Sequence, residues 1–219
     1  MWLSMSIPSV NYTPEVTTYN LTGRVTATTL LLNQPLCFFD NLKGLPCTTD
    51  TCEIWLSVAR GAGVQNFDVD MVSFGSAILS TSPYPSAFIS EQNKSYYITR
   101  LGIQNRFPCA KLPGIRYFRV GDEGNCTTTN CNGVLPVGST VRVKYLLVDP
   151  VSRRVSYESM WSQPISLITP KPSASIDEWI GKRSGGMVVV TAIASCLLAL
   201  LLLLVIGNLL REWENKEEL

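Results

Sequence analysis

A predominantly apolar run extends from Met187 to Ile206, twenty positions with no charge, proline or glycine. A helix of that length is ~30 Å long, the thickness of a bilayer's hydrocarbon core. A core helix in a soluble protein would keep a polar face, and this one has none. The pattern predicts one transmembrane helix. Upstream the period changes. Short runs rich in β-branched and aromatic residues predict strands at Arg24–Leu32, Leu36–Phe39, Cys52–Ala59, Phe67–Phe74, Ser95–Leu101, Ile115–Val120, Thr140–Val148 and Val155–Thr169, the last broken near Trp161 and Pro164. Turn chemistry separates them at Asn33–Pro35, Gly61–Gly63, Ser82–Pro85, Gly121–Gly124 and Pro136–Gly138. No long helical pattern precedes the span.

The clearest alternation is Val141-Arg-Val-Lys-Tyr-Leu-Leu-Val148, with Val141, Val143 and Tyr145 on one face and Arg142 and Lys144 on the other. A turn at Asp149-Pro150 leads to Val155–Ile165, which carries Trp161-Ser162. This order is similar to the last hairpin of a fibronectin type III or immunoglobulin-like sandwich, although any antiparallel hairpin could carry it. The fold class is therefore mostly β: an antiparallel β-sandwich ectodomain (immunoglobulin/fibronectin III-like) plus one C-terminal transmembrane α-helix. Residues 1–168 form the β-rich domain, 169–186 a juxtamembrane stalk with a polyproline start, 187–206 the span and 207–219 a short tail.

Lysine and arginine counts do not orient the span, because Lys182 and Arg183 on one side balance Arg211 and Lys216 on the other. Cysteines and sequons do. Six of the seven cysteines precede the span, an even number that favours disulfides and an oxidising compartment. The same region holds the N-x-S/T sequons at Asn11, Asn20, Asn93 and Asn125. The large N-terminal part is thus lumenal or extracellular, the tail cytosolic, and N-linked glycans are expected. The first ten residues are too short and too polar for a signal peptide, so a native start other than Met1 is expected.

Fifteen pairings of six cysteines are possible. Cys126 and Cys131 bracket four residues and would close a loop; Cys47 and Cys52 do the same. That leaves Cys37 with Cys109 as a long-range staple, by the chain-entropy model the most stabilising, on the order of 4 kcal/mol. Zinc binding is the rival reading, weakened by the absence of any Cys-x-x-Cys pair.

Composition removes whole classes of chemistry. Histidine is absent, which excludes Ser-His-Asp and Cys-His nucleophiles and every histidine-containing zinc site. Asp68 and Asp70 alternate in the predicted strand Phe67–Phe74, where two solvent-facing carboxylates are a better reading than a catalytic pair. No phosphate loop, nucleophile elbow or EF-hand occurs. No catalytic residue, metal or cofactor is assigned, and an enzyme is not expected. Outside the span and tail, sixteen basic residues face thirteen acidic ones with no basic stripe, which argues against nucleic acid. Trp179 and Trp213 flank the span as interfacial tryptophans do. Lys182-Arg183 reads as a headgroup contact, a dibasic processing site or a solvated pair.

Within the span, Thr191, Ser195 and Ala199 are four apart and share one helical face. Small residues at that spacing let a second helix approach closely, which makes them a candidate packing interface, although a random run of small residues would look the same. Cys196 is too deep for palmitoylation and reads as a packing residue.

Several stretches in order resemble the uroplakin III family, and its b type most. They are Tyr12-Thr-Pro14, Leu21-Thr-Gly-Arg-Val-Thr-Ala-Thr-Thr29, Gln34-Pro-Leu-Cys-Phe-Phe-Asp40, Ile54-Trp-Leu-Ser-Val-Ala59, Pro108-Cys109, Arg119-Val-Gly121 with Cys126 and Cys131-Asn132, Tyr145-Leu-Leu-Val148 with Trp161-Ser162, and Trp179-Ile-Gly-Lys-Arg-Ser-Gly-Gly-Met-Val-Val-Val-Thr191. The resemblance implies a type I glycoprotein that leaves the endoplasmic reticulum with a tetraspanin uroplakin of the Ib type. With other uroplakins it would form plaques of asymmetric unit membrane on the apical urothelial surface, strengthening the membrane and its permeability barrier. Cys47 and Cys52 look like an addition to the family's four-cysteine pattern, and the hydroxyl-free tail is shorter than in the a type. The rival function is a single-pass receptor or adhesion protein with a fibronectin-like ectodomain.

Overall fold

The computed structural model describes residues 7–40, 42–89, 94–110, 113–175 and 185–217. The chain divides after Pro170 into a β-rich unit and a helical one. In the first unit, β2 (Glu53–Arg60), β3 (Tyr96–Ile103), β5 (Thr140–Asp149) and β6 (Arg154–Glu158) pair antiparallel in the order β3-β2-β5-β6, and β7 (Ile165–Ser166) also pairs with β5. A second, two-stranded sheet joins β1 (Leu30–Asn33) to β4 (Tyr117–Val120).

The central strands are apolar on both faces because both faces are covered. Ile54, Leu56 and Val58 of β2, with Val141, Val143, Tyr145 and Leu147 of β5, pack against Leu30, Leu32 and Val120 of the small sheet. The opposite face presents Trp55, Ala59, Ile98, Leu146 and Val148 to a helical layer through Phe67, Met71, Ile78 and Leu79. Tyr145 ties one sheet to the other by donating its hydroxyl to the Asn33 carbonyl at 2.7 Å. The chain is thus mostly antiparallel β with one long apolar C-terminal helix, and a helical layer added between β2 and β3.

That layer corrects one expectation. Phe67–Phe74 is not a strand but the second half of α1 (Gly63–Phe74), followed by short α2 (Ile78–Thr81) and α3 (Tyr84–Ala87). Phe67 and Met71, four apart, share the buried face, as do Gly63 and Asp70. Only glycine fits at position 63, where a Cβ would stand 2.0 Å from the Ser95 carbonyl oxygen. The two carboxylates are not simply solvent-facing either. Asp70 is 11% exposed and meets Lys94 at 2.6 Å and the Tyr96 hydroxyl at 2.7 Å.

Two other predicted strands differ from the expectation, one absent and one shortened. Leu36–Phe39 is a turn, with Cys37 at φ +72°. In Arg24–Leu32, Thr26 breaks the extended run: its hydroxyl accepts the N–H groups of Thr28 and Thr29, and the chain folds back so that Val25 bridges Leu30. The predicted break in Val155–Thr169 falls between β6 and β7. There Ser159 and Ser162 replace ladder partners, since their hydroxyls accept the N–H groups of Tyr145 and Val143.

Both margins of the larger sheet are partly covered. Pro8–Val10 lies along β6. On the other side the carbonyl of Tyr96 accepts the Ser82 hydroxyl, and that of Ile98 accepts the Asn130 amide at 3.1 Å. Occupied edge carbonyls cannot template another strand.

Candidate assembly site

α4 (Gly185–Glu217) is 33 residues long, and its segment Gly185–Arg211 is long and apolar enough to cross a membrane. Every residue of that stretch is exposed. Thr191, Ser195 and Ala199 lie one above another on a single face. The Thr191 hydroxyl donates to the carbonyls of Met187 at 3.0 Å and Val188 at 2.9 Å, and Ser195 donates to Thr191 at 2.8 Å. With their hydroxyls satisfied inside the helix, these residues carry little desolvation cost in lipid. What they offer a neighbour is a shallow face suited to close backbone approach. Cys196 is a free thiol on the same helix. Trp213 is exposed near its end. Trp179, Lys182 and Arg183 lie outside the described residues.

In the β-rich unit the six cysteines form three disulfides. Cys37–Cys109 joins segments 72 residues apart, whereas Cys47–Cys52 and Cys126–Cys131 each close a five-residue step. The long staple fixes the Leu36–Phe39 turn against the segment that follows β3, and Asp40 accepts the Cys109 N–H at 3.2 Å. All six sulfurs are thereby consumed, including those of the two Cys/Asp/Glu clusters that could otherwise offer metal ligands. The sequon residues Asn11, Asn20 and Asn125 are exposed, and Asn93 lies outside the described residues.

The sequence patterns did not reveal the most buried ionic group among the described residues. Lys144 is on the outward face of β5 as its alternation requires, but α1 covers that face and leaves the side chain 6% exposed. Its ammonium meets Asp68 at 3.2 Å and Glu158 at 3.1 Å, and lies over the rings of Trp161 at 4.9 Å and Phe67 at 5.7 Å. The Trp161 indole N–H also donates to Asp68 at 3.1 Å. Burial pushes the Glu158 carboxyl up, against the opposing pull of Lys144. Burial likewise raises the phenols of Tyr96, Tyr97 and Tyr145, and lifts Tyr12 to about 12. These groups hold elements together. Asp68 and Asp70 are each engaged by a lysine and an aromatic donor, contacts that fasten α1 to the sheet.

A disulfide-stapled β body, with one bilayer-length apolar helix among the described residues, defines a single-pass membrane protein. No protein-family model matches the chain. Individual relatives do. Uroplakin-3a of Homo sapiens is 31% identical over 206 residues, covering 86% of this chain and 70% of the relative. Uroplakin-3b-like protein 1 of Mus musculus is 31% identical over 202 residues, covering 88% and 72%. Uroplakin-3a of Bos taurus is 30% identical over 212 residues, covering 86% and 70%. The chain belongs to the uroplakin III family.

Proposed function

We propose that this chain is a structural subunit of urothelial plaques. In this reading residues 1–168 are lumenal and then extracellular, carry N-linked glycans, and are held by a stalk on the span 187–206, with 207–219 in the cytosol. The span pairs laterally with a four-span tetraspanin uroplakin of the Ib type. The pair leaves the endoplasmic reticulum and assembles with other uroplakins into an array that stiffens the apical membrane and limits its permeability. Work of this kind needs neighbours and lipid, not a substrate.

The observation that supports it most is the family relationship over 86% of the chain, which reaches from the β-rich unit into the apolar helix. The small-residue face of α4 supports the lateral pairing, since in lipid close packing supplies much of the association energy.

Expression with and without the tetraspanin tests the reading. The chain alone should be retained in the endoplasmic reticulum, and the partner should release it. Replacing Thr191, Ser195 and Ala199 with leucine should weaken co-purification without altering thermal unfolding of the β-rich unit. Efficient surface delivery of the lone chain would favour a receptor or adhesion molecule instead.

A further inference from the structure

Cys37–Cys109 is the one disulfide of the three in which both cysteines are exposed; Cys52 and Cys131 are buried in the other two. A disulfide opens when a thiolate attacks one sulfur and expels the other, so access governs its exchange as well as the attacking thiol. The bond that closes the longest loop is thus also the one most open to attack.

Asp40 sets a negative charge against it. Its Oδ2 is 3.1 Å from the Cys109 sulfur and accepts the Cys109 N–H at 3.2 Å, while its own N–H donates to the Cys37 carbonyl at 3.4 Å. These contacts hold the carboxylate beside the bond. Among the described residues no lysine or arginine pairs with it. Glu123 stands in the same relation to Cys126 and Cys131. No described carboxylate lies within 4.8 Å of both sulfurs of Cys47–Cys52, where burial of Cys52 limits access instead.

Exchange has two routes. A thiolate that attacks the Cys109 sulfur forms a mixed disulfide there and expels Cys37 as a thiolate, and it must carry its charge up to Asp40. A thiolate that attacks the Cys37 sulfur avoids that approach, but the departing electron pair then settles on the Cys109 sulfur beside the carboxylate, which makes Cys109 the poorer leaving group. In both routes a second thiol resolves the mixed disulfide, so two thiols are oxidised to their dimer and two cysteine thiols are released. Either first step gathers negative charge next to Asp40.

We propose that Asp40 is an electrostatic guard of Cys37–Cys109, which keeps this exposed bond closed against anionic thiols such as glutathione. The guard acts on the rate of opening and does not depend on how the chain assembles in the membrane.

The test compares two thiols on the full-length chain in detergent at neutral pH and equal thiolate concentration: glutathione, whose thiolate form is a net anion, and cysteamine, whose ammonium cancels the thiolate charge. Differential alkylation and peptide mass spectrometry follow each disulfide. Asp40→Asn keeps the side-chain shape and an oxygen for the Cys109 N–H. It should speed opening of Cys37–Cys109 by glutathione about fivefold and by cysteamine less, and leave Cys47–Cys52 unchanged. In the unaltered chain, added salt should speed glutathione at Cys37–Cys109 but not cysteamine, a measurement that needs no variant to fold. Equal acceleration of both thiols by Asp40→Asn would mark a loosened turn and overturn the proposal. So would an unchanged glutathione rate in that variant, or a glutathione rate insensitive to salt in the unaltered chain.

Discussion

Lys144 and Asp68 are 76 residues apart in the chain, and their 3.2 Å contact fastens α1 to the central sheet. Asp68 is half-exposed, but Lys144 is almost enclosed and holds Glu158 as well. The two carboxylates are therefore not equivalent. Lys144→Met leaves Glu158 buried without its cation and should destabilise the β-rich unit by about 2–4 kcal/mol. Asp68→Asn breaks a more solvated contact and should cost less than about 1 kcal/mol. Thermal unfolding of the detergent-solubilised chain, compared for the two variants, checks the ranking.

The three disulfides should differ in the same assay. By the chain-entropy model the stabilisation grows with the logarithm of the loop closed, about 4 kcal/mol for Cys37–Cys109 and about 2 for Cys47–Cys52. Replacing Cys37 and Cys109 together with serine should therefore lower the unfolding temperature further than replacing Cys47 and Cys52. Cys37 also occupies a left-handed backbone position in the turn that the long bond secures, at φ +72°. Equal losses from the two double variants would show that loop closure is not the governing term.

How far these contacts could be read in advance depended on where the deciding partner lies. The membrane helix needs nothing beyond its own twenty residues. The β5 alternation and its turn into β6 are local as well. Phe67–Phe74 is different: Phe-Asp-Val-Asp-Met-Val-Ser-Phe satisfies a period of two about as well as one of 3.6. Helix wins because Phe67 and Met71 then share one face over the sheet, while Asp70 reaches Lys94, 24 residues away. The same layer hid the role of Lys144. An alternating charge on a strand reads as solvated until a helix is laid over it. The turn at Leu36–Phe39 escaped for a similar reason, since the buried Phe39 mimics strand composition while its carbonyl is claimed by Gln104, 65 residues on. The short cysteine spacings, by contrast, suggested local loops that need no distant partner.

Acid should act on two carboxyls in opposite directions. The Asp149 carboxyl is held low, chiefly by the Ser152 hydroxyl and also by the N–H groups of Val151 and Ser152, which together shape the turn between β5 and β6. A depressed native value stabilises the fold above the ordinary carboxylate range, near pH 4, and that contribution disappears as pH falls through the native value. Glu158 is raised by burial, so its native state takes up a proton first, and this group favours folding increasingly as pH drops toward the ordinary range. Asp149→Asn should thus lower stability at neutral pH and leave a shallower acid limb. Glu158→Gln should remove the opposing contribution and make the acid limb steeper. Unfolding temperature measured against pH for both variants separates the two.

Alkali acts on the buried phenols. Tyr12, Tyr96, Tyr97 and Tyr145 all have raised native values, with burial the leading cause in each. An unfolded tyrosine ionises near pH 10 while these remain protonated in the fold, so stability should decline above about pH 10. Tyr145 is the most consequential, because its hydroxyl joins the sheets through Asn33. The absorbance that these four phenolates contribute should rise together with loss of structure rather than before it, and Tyr145→Phe should lower stability at neutral pH by about 1 kcal/mol by removing that hydrogen bond.

In the proposed glycoprotein, the sequon at Asn125 would put glycan transfer in competition with oxidation. Asn125 is exposed, but the next residue, Cys126, is bonded to Cys131 in a loop whose Asn130 and Asn132 side chains grip neighbouring backbone. Asn132 donates to the Arg119 carbonyl at 2.7 Å and accepts the Gly121 N–H at 2.9 Å. Once the disulfide forms, the loop is fixed, whereas Asn11 and Asn20 are exposed and have no cysteine beside them. Glycan occupancy at Asn125 should therefore be lower than at Asn11 and Asn20, and should rise in Cys131→Ser, which leaves the sequon intact but removes the bond. Glycopeptide mass spectrometry of the expressed chain measures all three positions at once. Full occupancy at Asn125 in the unaltered protein would mean that transfer precedes oxidation, and unchanged partial occupancy in Cys131→Ser would mean that the disulfide does not limit it.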